Sequence, residues 1–251
     1  MKVSIITVTY NSEKSLQRSI DSVISQDYLD IEHIIIDGGS ADNTIGIINE
    51  NKKHIAKYIS EKDSGIYQAL NKGIRLATGD IIGILNSDDV FADTNIISKV
   101  VDSFSKNNSD VVYGNLLYVA KNQSENKTVR YWKSNPYNPK FLIFGWMPPH
   151  PTLFCKKEIF QTYGLYNESL QISSDYDFIL RIFKETKLKK SYIPEVMVKM
   201  TAGGKSNGSF RNICRKTHED LRAIRANKVG GIYTLFFKNI RKLKQLIPLY
   251  H

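Results

Sequence analysis

The first hundred residues alternate short apolar runs rich in β-branched side chains with longer segments of helical spacing. The run over residues 3–10 is apolar on both faces, as in a strand buried within a parallel sheet. Further candidate strands lie at residues 31–36, 58–60 and 81–85. This alternation is typical of βαβ units, so the sequence predicts an α/β domain with a mostly parallel sheet flanked by helices.

Helical spacing is clear in two of the intervening segments. In the first, Asn11 and Ser12 are candidate N-caps, and the predicted apolar stripe consists of Leu16, Ile20, Val23 and Ile24. In the second, the stripe consists of Ile66, Leu70, Gly73 and Ala77, with Gly79 as the predicted terminator. Residues 111–200 predict shorter strands, a Pro-rich loop and a helix over residues 175–186.

The composition excludes several classes of protein. With 251 residues, 41% of them hydrophobic, the chain can bury a full core. Its two cysteines, Cys155 and Cys214, are far apart and form no CxxC pair, which argues against a disulfide framework or a structural zinc site and favours a reducing compartment. We find neither a signal-peptide cleavage pattern nor a long uncharged apolar stretch, so we expect a cytoplasmic protein without a membrane span.

Acidic residues follow the predicted strands, at Asp37, Asp63, Asp88 and Asp89. The carboxyl ends of parallel strands share one edge of a sheet, where ligands bind, so we expect these acids around one crevice. Adjacent carboxylates need a compensating cation, and all-oxygen ligands favour Mg²⁺ or Mn²⁺. Such a metal suits a diphosphate ligand, although residues 86–89 taken alone also fit an ordinary polar turn.

Three segments within residues 3–89 carry a family resemblance: VSIITVTYNSEKSLQRSIDSVISQ, HIIIDGGSADNT and EKDSGIYQALNKGIRLATGDIIGILNSDD. Together with PPHPTLFCKKEIF and SSDYDFILRIF further on, they resemble the inverting family 2 glycosyltransferases of the A-type fold. The resemblance implies a Rossmann-like, mostly parallel sheet. It also implies transfer of a hexose or N-acetylhexosamine from a nucleotide diphosphate sugar, with UDP favoured. The implied acceptor is a hydroxyl of a saccharide, lipid-linked in bacterial surface polysaccharide biosynthesis.

The resemblance also assigns roles to individual residues. The donor-binding positions at the strand ends are Thr9, Tyr10, Asp37, Asp63 and Asp88. Asp37 matches the acid that contacts the nucleotide base, and Asp88 the one on the ribose side. Asp89 is the preferred ligand of Mn²⁺ or Mg²⁺, with Asp88 beside it. Asn86 stands where many members carry another aspartate, so counting the motif from position 86 stays open.

The implied catalytic base is Asp175, at the start of the late helix, with Asp177 as the alternative. An acid in a first helical turn is also common without any catalytic role. His150, in the Pro-rich loop, matches a position that contacts the acceptor. Arg75 is predicted to assist with the donor phosphates, because an acidic metal site needs cationic help with a diphosphate.

Most of the formal charge of +10 lies in the C-terminal tail, where basic residues alternate with apolar ones. We predict a catalytic domain over residues 1–205 and a basic amphipathic helical tail over 206–251. In the domain, residues 1–115 form the nucleotide-sugar half and 116–205 the acceptor half. Basic amphipathic helices bind anionic membranes, so we expect a peripheral protein on the inner face of the cytoplasmic membrane. The alternative is a helical extension packed on the domain.

The sequence allows one main alternative function and disfavours three others. A nucleotide-sugar-binding protein without catalysis is the main alternative. A dinucleotide oxidoreductase is disfavoured because no GxGxxG follows the first strand. Gly204-Lys205-Ser206 is not a P-loop, since Lys199 occupies the position of the first glycine, and a flexible loop is the better interpretation. Nucleic-acid binding is not expected, because aromatic RNA-binding signatures are absent.

Overall fold

The computed structural model describes residues 1–120, 128–202 and 210–244. In these ranges the strands are β1 (Val3–Thr9), β2 (Ile31–Asp37), β3 (Lys57–Ser60), β4 (Ile81–Ile84), β5 (Val90–Phe91), β6 (Val111–Val119), β7 (Thr128–Trp132), β8 (Phe154–Lys156) and β9 (Lys190–Thr201). The helices are α1 (Leu16–Ile24), α2 (Thr44–Glu50), α3 (Ile66–Leu76), α4 (Ile96–Asn107), α5 (Lys140–Ile143), α6 (Lys157–Tyr163), α7 (Ser174–Phe183), α8 (Phe210–Ala226) and α9 (Ile232–Lys244). Short 3-10 turns cover Lys52–His54 and His150–Thr152.

One sheet runs through the described part of the chain in the order β3-β2-β1-β4-β8-β6-β9-β5, with β7 paired to β6. The first four strands of this order are parallel. Their register places Thr9 opposite Asp37 and Asp37 opposite Ser60. The predicted α/β class is therefore confirmed, this half of the sheet is parallel as predicted, and the carboxyl ends of its strands share one edge.

The second half of the sheet mixes directions. β8 is antiparallel to both β4 and β6, whereas β9 is parallel to β6. β5 follows residues 86–89 directly and pairs antiparallel with the end of β9. This pairing brings Thr201 to the acidic segment, where its hydroxyl donates to the Asp88 carbonyl oxygen at 2.7 Å.

The predicted helical stripes are largely confirmed, but the helix ends are not. Leu16, Ile20 and Val23 are buried, whereas Ile24 is exposed. The N-cap of α1 is Ser15 rather than Asn11 or Ser12. Asn11 is used elsewhere, because its side-chain oxygen accepts a hydrogen bond from the Ala41 N–H at 2.9 Å.

α3 likewise ends before its predicted terminator, and one residue of its predicted apolar stripe is not buried. Ile66 is exposed, and the helix stops at Leu76, three residues short of Gly79. The backbone N–H of Thr78 donates to the buried Glu32 at 2.7 Å, and that of Gly79 donates to the Ser4 hydroxyl at 2.9 Å. These bonds tie the turn to the sheet instead of continuing the helix.

The two C-terminal helices pack on the rest of the fold. α8 lies against α7, and α9 lies against α8. The core shared with the sheet includes Ala223, Ile224, Val229 and Leu235. Residues 205 and 206, at the predicted domain boundary, lie outside the described residues, as does Gly204-Lys205-Ser206.

A buried ion-pair network accompanies this packing. Asp220 is 2% exposed, and its carboxylate lies 2.9 Å from Lys216 and 2.7 Å from Lys238. The Lys238 ammonium also lies 3.3 Å from the centre of the Tyr176 ring on α7. Breaking such a pair by removing one partner leaves an uncompensated buried charge, so this contact specifies how α9 sits on α7.

None of the helices in residues 1–120, 128–202 and 210–244 combines the length and apolarity that a membrane crossing requires.

Gly145→Ala tests how closely α9 packs against the backbone at Gly145. Gly145 has a φ of 67°, and a Cβ there would lie 2.3 Å from the Lys238 backbone nitrogen. We expect the free energy of unfolding to fall by about 2–4 kcal/mol, because left-handed strain adds to a backbone clash. Gly231→Ala is the control, since nothing lies within 4 Å of its added Cβ, and a weaker helix start costs at most about 1 kcal/mol. If urea denaturation gives the same loss of unfolding free energy for both variants, close packing of α9 against Gly145 is ruled out.

Candidate active site

Asp37 holds the turn that follows β2. Its carboxylate accepts hydrogen bonds from the backbone N–H groups of Gly39 and Ser40, each at 3.0 Å, and from the Ser60 hydroxyl at 2.7 Å. The Ser40 hydroxyl is a further donor. Gly39 has a φ of 81°, which favours glycine in this tight turn. Asp37 is thus at the predicted position beside Thr9, with its oxygens engaged by its own loop and by Ser60 of β3.

Thr9, Tyr10 and Asp63 lie beside this turn. A Cβ on Gly38 would be 3.4 Å from Asp63 Oδ2 and 3.5 Å from the Tyr10 ring, so these two side chains flank Gly38. Tyr10 is half exposed. Thr9 Oγ1 and Asp63 Oδ2 are buried and have no hydrogen-bond partner among the described residues. Both atoms are therefore available to a polar ligand at this edge.

Lys72 of α3 is a cation that the sequence interpretation missed. Its ammonium contacts the Asp63 carboxylate and lies 2.7 Å from Glu61. The hydrogen bond to Asp63 is the largest cause that raises the pKa of Lys72. Asp63 lies on a loop and Lys72 on a helix, so no regular spacing signals the contact.

Asp89 is the most deeply buried acid of the residue 86–89 segment. Its Oδ2 accepts a hydrogen bond from the Asn86 amide at 3.0 Å, whereas Oδ1 has no partner among the described residues. Burial, with a further contribution from Asp88, raises the pKa of Asp89 to about 8. A hydroxyl–hydroxyl contact of 2.9 Å between Ser12 and Ser87 ties this segment to the loop after β1.

These residues fit a divalent cation, although they do not enclose one. In the described ranges no three His, Cys, Asp or Glu side chains cluster as metal ligands. Mg²⁺ commonly takes one or two carboxylates and completes its shell with water and substrate phosphates. Asp89 offers a buried, unpaired carboxylate oxygen, and Asp88 is exposed beside it. A cation would supply the positive partner that the buried carboxylate of Asp89 lacks.

Asp175 lies in the first turn of α7, within reach of two other elements. Its Oδ2 is 3.1 Å from His150 Nδ1, and its Oδ1 is 3.3 Å from the Tyr67 hydroxyl. Asp177 instead lies 2.6 Å from Arg181 and 2.9 Å from the Asn227 amide, with both oxygens occupied. The structure therefore places Asp175 in contact with His150, and Asp177 in the packing between α7 and α8.

His150 and Asp175 form a hydrogen-bonded pair. Burial lowers the pKa of His150, Asp175 opposes this, and the charges of Lys216 and Lys238 lower it further. The imidazole is then neutral at pH 7, and Nδ1–H donates to the carboxylate. The side chain is 37% exposed, so part of the imidazole is accessible to a ligand.

The charges of both acidic positions act on Tyr118 of β6. Burial raises its pKa, Arg130 opposes this, and the charges of Asp89 and Asp175 both add to the rise. The Arg130 guanidinium lies 4.7 Å from the centre of the Tyr118 ring. Both acids are therefore within electrostatic range of one phenol, a relation that residues so distant in sequence do not reveal.

Arg75 is not brought to this group, contrary to the prediction. It lies in the last turn of α3, where it is exposed and 3.9 Å from Glu168. The turn after α3 meets the start of β1, since the Lys2 N–H donates to Asp80 at 2.9 Å. α3 is about 15 Å long, so Arg75 lies at the opposite edge of the sheet from the strand-end acids.

Comparison with known proteins shows consistent similarities. Residues 4–162 match the family model described as Glycosyl transferase family 2. A PGL/p-HBAD biosynthesis glycosyltransferase of Mycobacterium bovis is 29% identical over 209 residues, covering 81% of this chain and 78% of that protein. An uncharacterized glycosyltransferase of Mycobacterium tuberculosis is 32% identical over 185 residues, covering 71% and 68%.

Two solved structures share the fold. Residues 1–349 of S. aureus TarS, in complex with UDP-GlcNAc, align with a TM-score of 0.70 at 18% identity, covering 91% of this chain and 66% of that one. The mannosyltransferase PcManGT from Pyrobaculum calidifontis, in complex with GDP-Man and Mn²⁺, aligns at 0.67 and 16% identity, covering 94% and 68%. Against a longer TarS chain the coverage is 40% of that chain.

Mn²⁺ tests the role of Asp89. At ten times its dissociation constant a bound ion adds about 1.4 kcal/mol of stability, which raises Tm by about 4 °C in a chain of this size. We expect this increment in the wild type and its loss in Asp89→Asn. Asp102→Asn is the control, because Asp102 is an exposed acid paired with Lys106. An undiminished increment in Asp89→Asn, measured by thermal unfolding, would rule out Asp89 as the ligand.

Proposed function

We propose a specific reaction for this chain, which belongs to glycosyltransferase family 2 and has the A-type glycosyltransferase fold. The reaction is the inverting transfer of a hexose or N-acetylhexosamine from a nucleotide diphosphate sugar, with UDP as the favoured nucleotide. The acceptor is a hydroxyl of a lipid-linked saccharide in bacterial surface polysaccharide biosynthesis. The PGL/p-HBAD biosynthesis relative and the UDP-GlcNAc complex of TarS support this choice.

One observation carries the proposal: the Asp175 carboxylate is held 3.1 Å from His150, and the charges of Asp175 and Asp89 both act on the Tyr118 phenol. Asp89 and Asp175 lie in different environments, which suit different roles in the reaction. Asp89 is buried beside Asp88 and suits a metal and diphosphate, whereas Asp175 is partly exposed and suits proton transfer. The arrangement thus separates a donor side from an acceptor side.

On the donor side, Thr9, Tyr10, Asp37 and Asp63 line the nucleotide pocket in our proposal, and Asp88 faces the ribose. The unpaired buried atoms of Thr9 and Asp63 support this assignment. Mn²⁺ or Mg²⁺ held by Asp89 and Asp88 would neutralise charge on the diphosphate when bound. Arg75 has no place in this arrangement.

On the acceptor side, Asp175 takes the proton of the acceptor hydroxyl. The oxygen then forms a bond to the anomeric carbon from the face opposite the diphosphate, and the bond from that carbon to the diphosphate oxygen breaks. The nucleotide diphosphate leaves with the electron pair, and the configuration inverts. His150 orients the carboxylate through Nδ1–H and contacts the acceptor with the accessible part of its ring.

A nucleotide-sugar-binding protein without catalysis is the alternative. A panel of UDP- and GDP-sugars, incubated with Mn²⁺ and scored for release of the nucleotide diphosphate, tests the two. Release that depends on Asp175 supports the transferase. Tight binding of a donor without hydrolysis or transfer would favour the alternative.

Asp175→Asn and Asp177→Asn separate the two candidate bases. We expect Asp175→Asn to lower kcat by about 10²–10⁴-fold, because it removes the proton acceptor. Asp177→Asn breaks the contact with Arg181 and should mainly lower the free energy of unfolding, by about 2 kcal/mol. Initial rates at saturating donor and urea denaturation give the two quantities. The reverse pattern would assign the base to Asp177.

We further propose that the protein is peripheral on the inner, cytoplasmic face of the membrane, through an apolar face of α9 and α5. This face consists of Ile143, Phe144, Ile232, Tyr233, Phe236 and Phe237, all exposed. Phe144 and Phe237 contact edge to face at 5.5 Å. The two acids of the tail, Glu219 and Asp220, are buried, so its exposed charges are cationic. Exposed aromatics beside excess positive charge suit an anionic bilayer.

Phe236→Ser tests this face. We expect partitioning onto vesicles containing anionic lipid to fall about tenfold, since one partly inserted aromatic side chain is removed. Leu29→Ser is the matched control, because Leu29 is 99% exposed and lies outside this face. Point variants are preferable to removal of the tail, whose helices contribute to the core. Equal partitioning of wild type and Phe236→Ser would exclude this membrane face.

A further inference from the structure

Glu219 of α8 reaches out of the tail to the loop that precedes α7. Its carboxylate accepts hydrogen bonds from the backbone N–H groups of Gln171 at 3.0 Å, Ile172 at 2.8 Å and Ser173 at 3.0 Å. Glu219 is 7% exposed. A carboxylate buried to this extent is costly unless donors satisfy it, and three consecutive N–H groups do so here.

The loop has no comparable anchor of its own. Ser173 is the N-cap residue of α7, and its side chain makes no capping hydrogen bond. The first N–H groups of a helix favour an anion. Glu219 accepts from the N–H of this N-cap residue and from those of the two residues before it, so it anchors the loop from another helix.

Asp175 follows this loop by two residues. On the other side of the loop, the Tyr67 hydroxyl donates to the Ile172 carbonyl oxygen at 2.6 Å and lies 3.3 Å from Asp175 Oδ1. Hydrogen bonds with α3 and α8 thus hold the loop from two sides, and Asp175 follows it directly in the first turn of α7. A displacement of about 1 Å at a reacting group is enough to cost about 100-fold in rate.

We propose that Glu219 is a positioning residue for Asp175, so that the C-terminal tail helps to set the geometry of the catalytic site. The inference rests on the proposed function, because it assumes that Asp175 is the base. Glu219 acts through the backbone of residues 171–173 and does not touch the reacting atoms. Loss of the Glu219 carboxylate leaves these three backbone N–H groups unpaired. Asp175 is then no longer held 3.1 Å from His150.

Glu219→Gln is the primary variant, because it keeps the size of the side chain but turns an amide NH₂ toward backbone donors. Glu195→Gln is the matched control, since Glu195 is an exposed glutamate of β9 paired with Lys99. We expect Glu219→Gln to lower kcat by about 10–100-fold, with the KM for the donor and the affinity for UDP within about twofold of wild type. Unchanged UDP affinity shows that the donor half is folded. Glu195→Gln should match wild type.

The double variant with Asp175→Asn separates positioning from general destabilisation. If Glu219 acts through Asp175, then Glu219→Gln costs nothing further once the base is gone, and the effects are non-additive. Hydrogen exchange at the amides of residues 171–173 should also become faster in Glu219→Gln and stay unchanged in Glu195→Gln. An additive loss in the double variant, or unchanged exchange, overturns the positioning role.

The two proposals fail in different ways. If the wild type transfers sugar and Glu219→Gln does so with the same kcat, the positioning inference is wrong and the proposed function stands. If the wild type transfers no sugar from any donor in the panel, the proposed function is wrong and this inference falls with it.

Discussion

β1 lies between β2 and β4 in parallel register and is buried along its whole length. Apolar side chains on both faces of this strand require cover from helices on both sides, which the βαβ connections provide. Because parallel strands end at the same edge, the polar residues that follow each strand converge there. The positions of Thr9, Asp37 and the residue 86–89 segment all depend on this register.

The second half of the molecule contributes an acid in a different environment. α7 carries Asp175 in its first turn, and the 3-10 turn after the Pro-rich loop carries His150 to within 3.1 Å of it. Asp89 is almost fully buried, whereas Asp175 is partly exposed and paired with a neutral imidazole. In our proposal, this difference in environment suits Asp89 to balancing charge beside a metal and Asp175 to accepting a proton.

The C-terminal helices connect the stability of the fold with the geometry of the site. Both acids of the tail point inward, Glu219 to the loop before α7 and Asp220 to Lys216 and Lys238. A basic tail whose acids are all buried presents only cations to solvent. Packing on the domain and attraction to an anionic surface are therefore compatible properties of the same two helices.

The sequence by itself determined the first four strands, the helices α1, α3 and α7, the helical tail, the strand-end acids and the family, because apolar periodicity and motif order are local signals. Only the tertiary structure decided that Asp177 meets Asn227 while Asp175 meets His150, and that Arg75 lies at the far edge of the sheet. It also decided the contact of Glu219 with the loop before α7. These contacts join residues far apart in the chain or depend on which way a helix runs across the sheet, and neither leaves a regular spacing in the sequence.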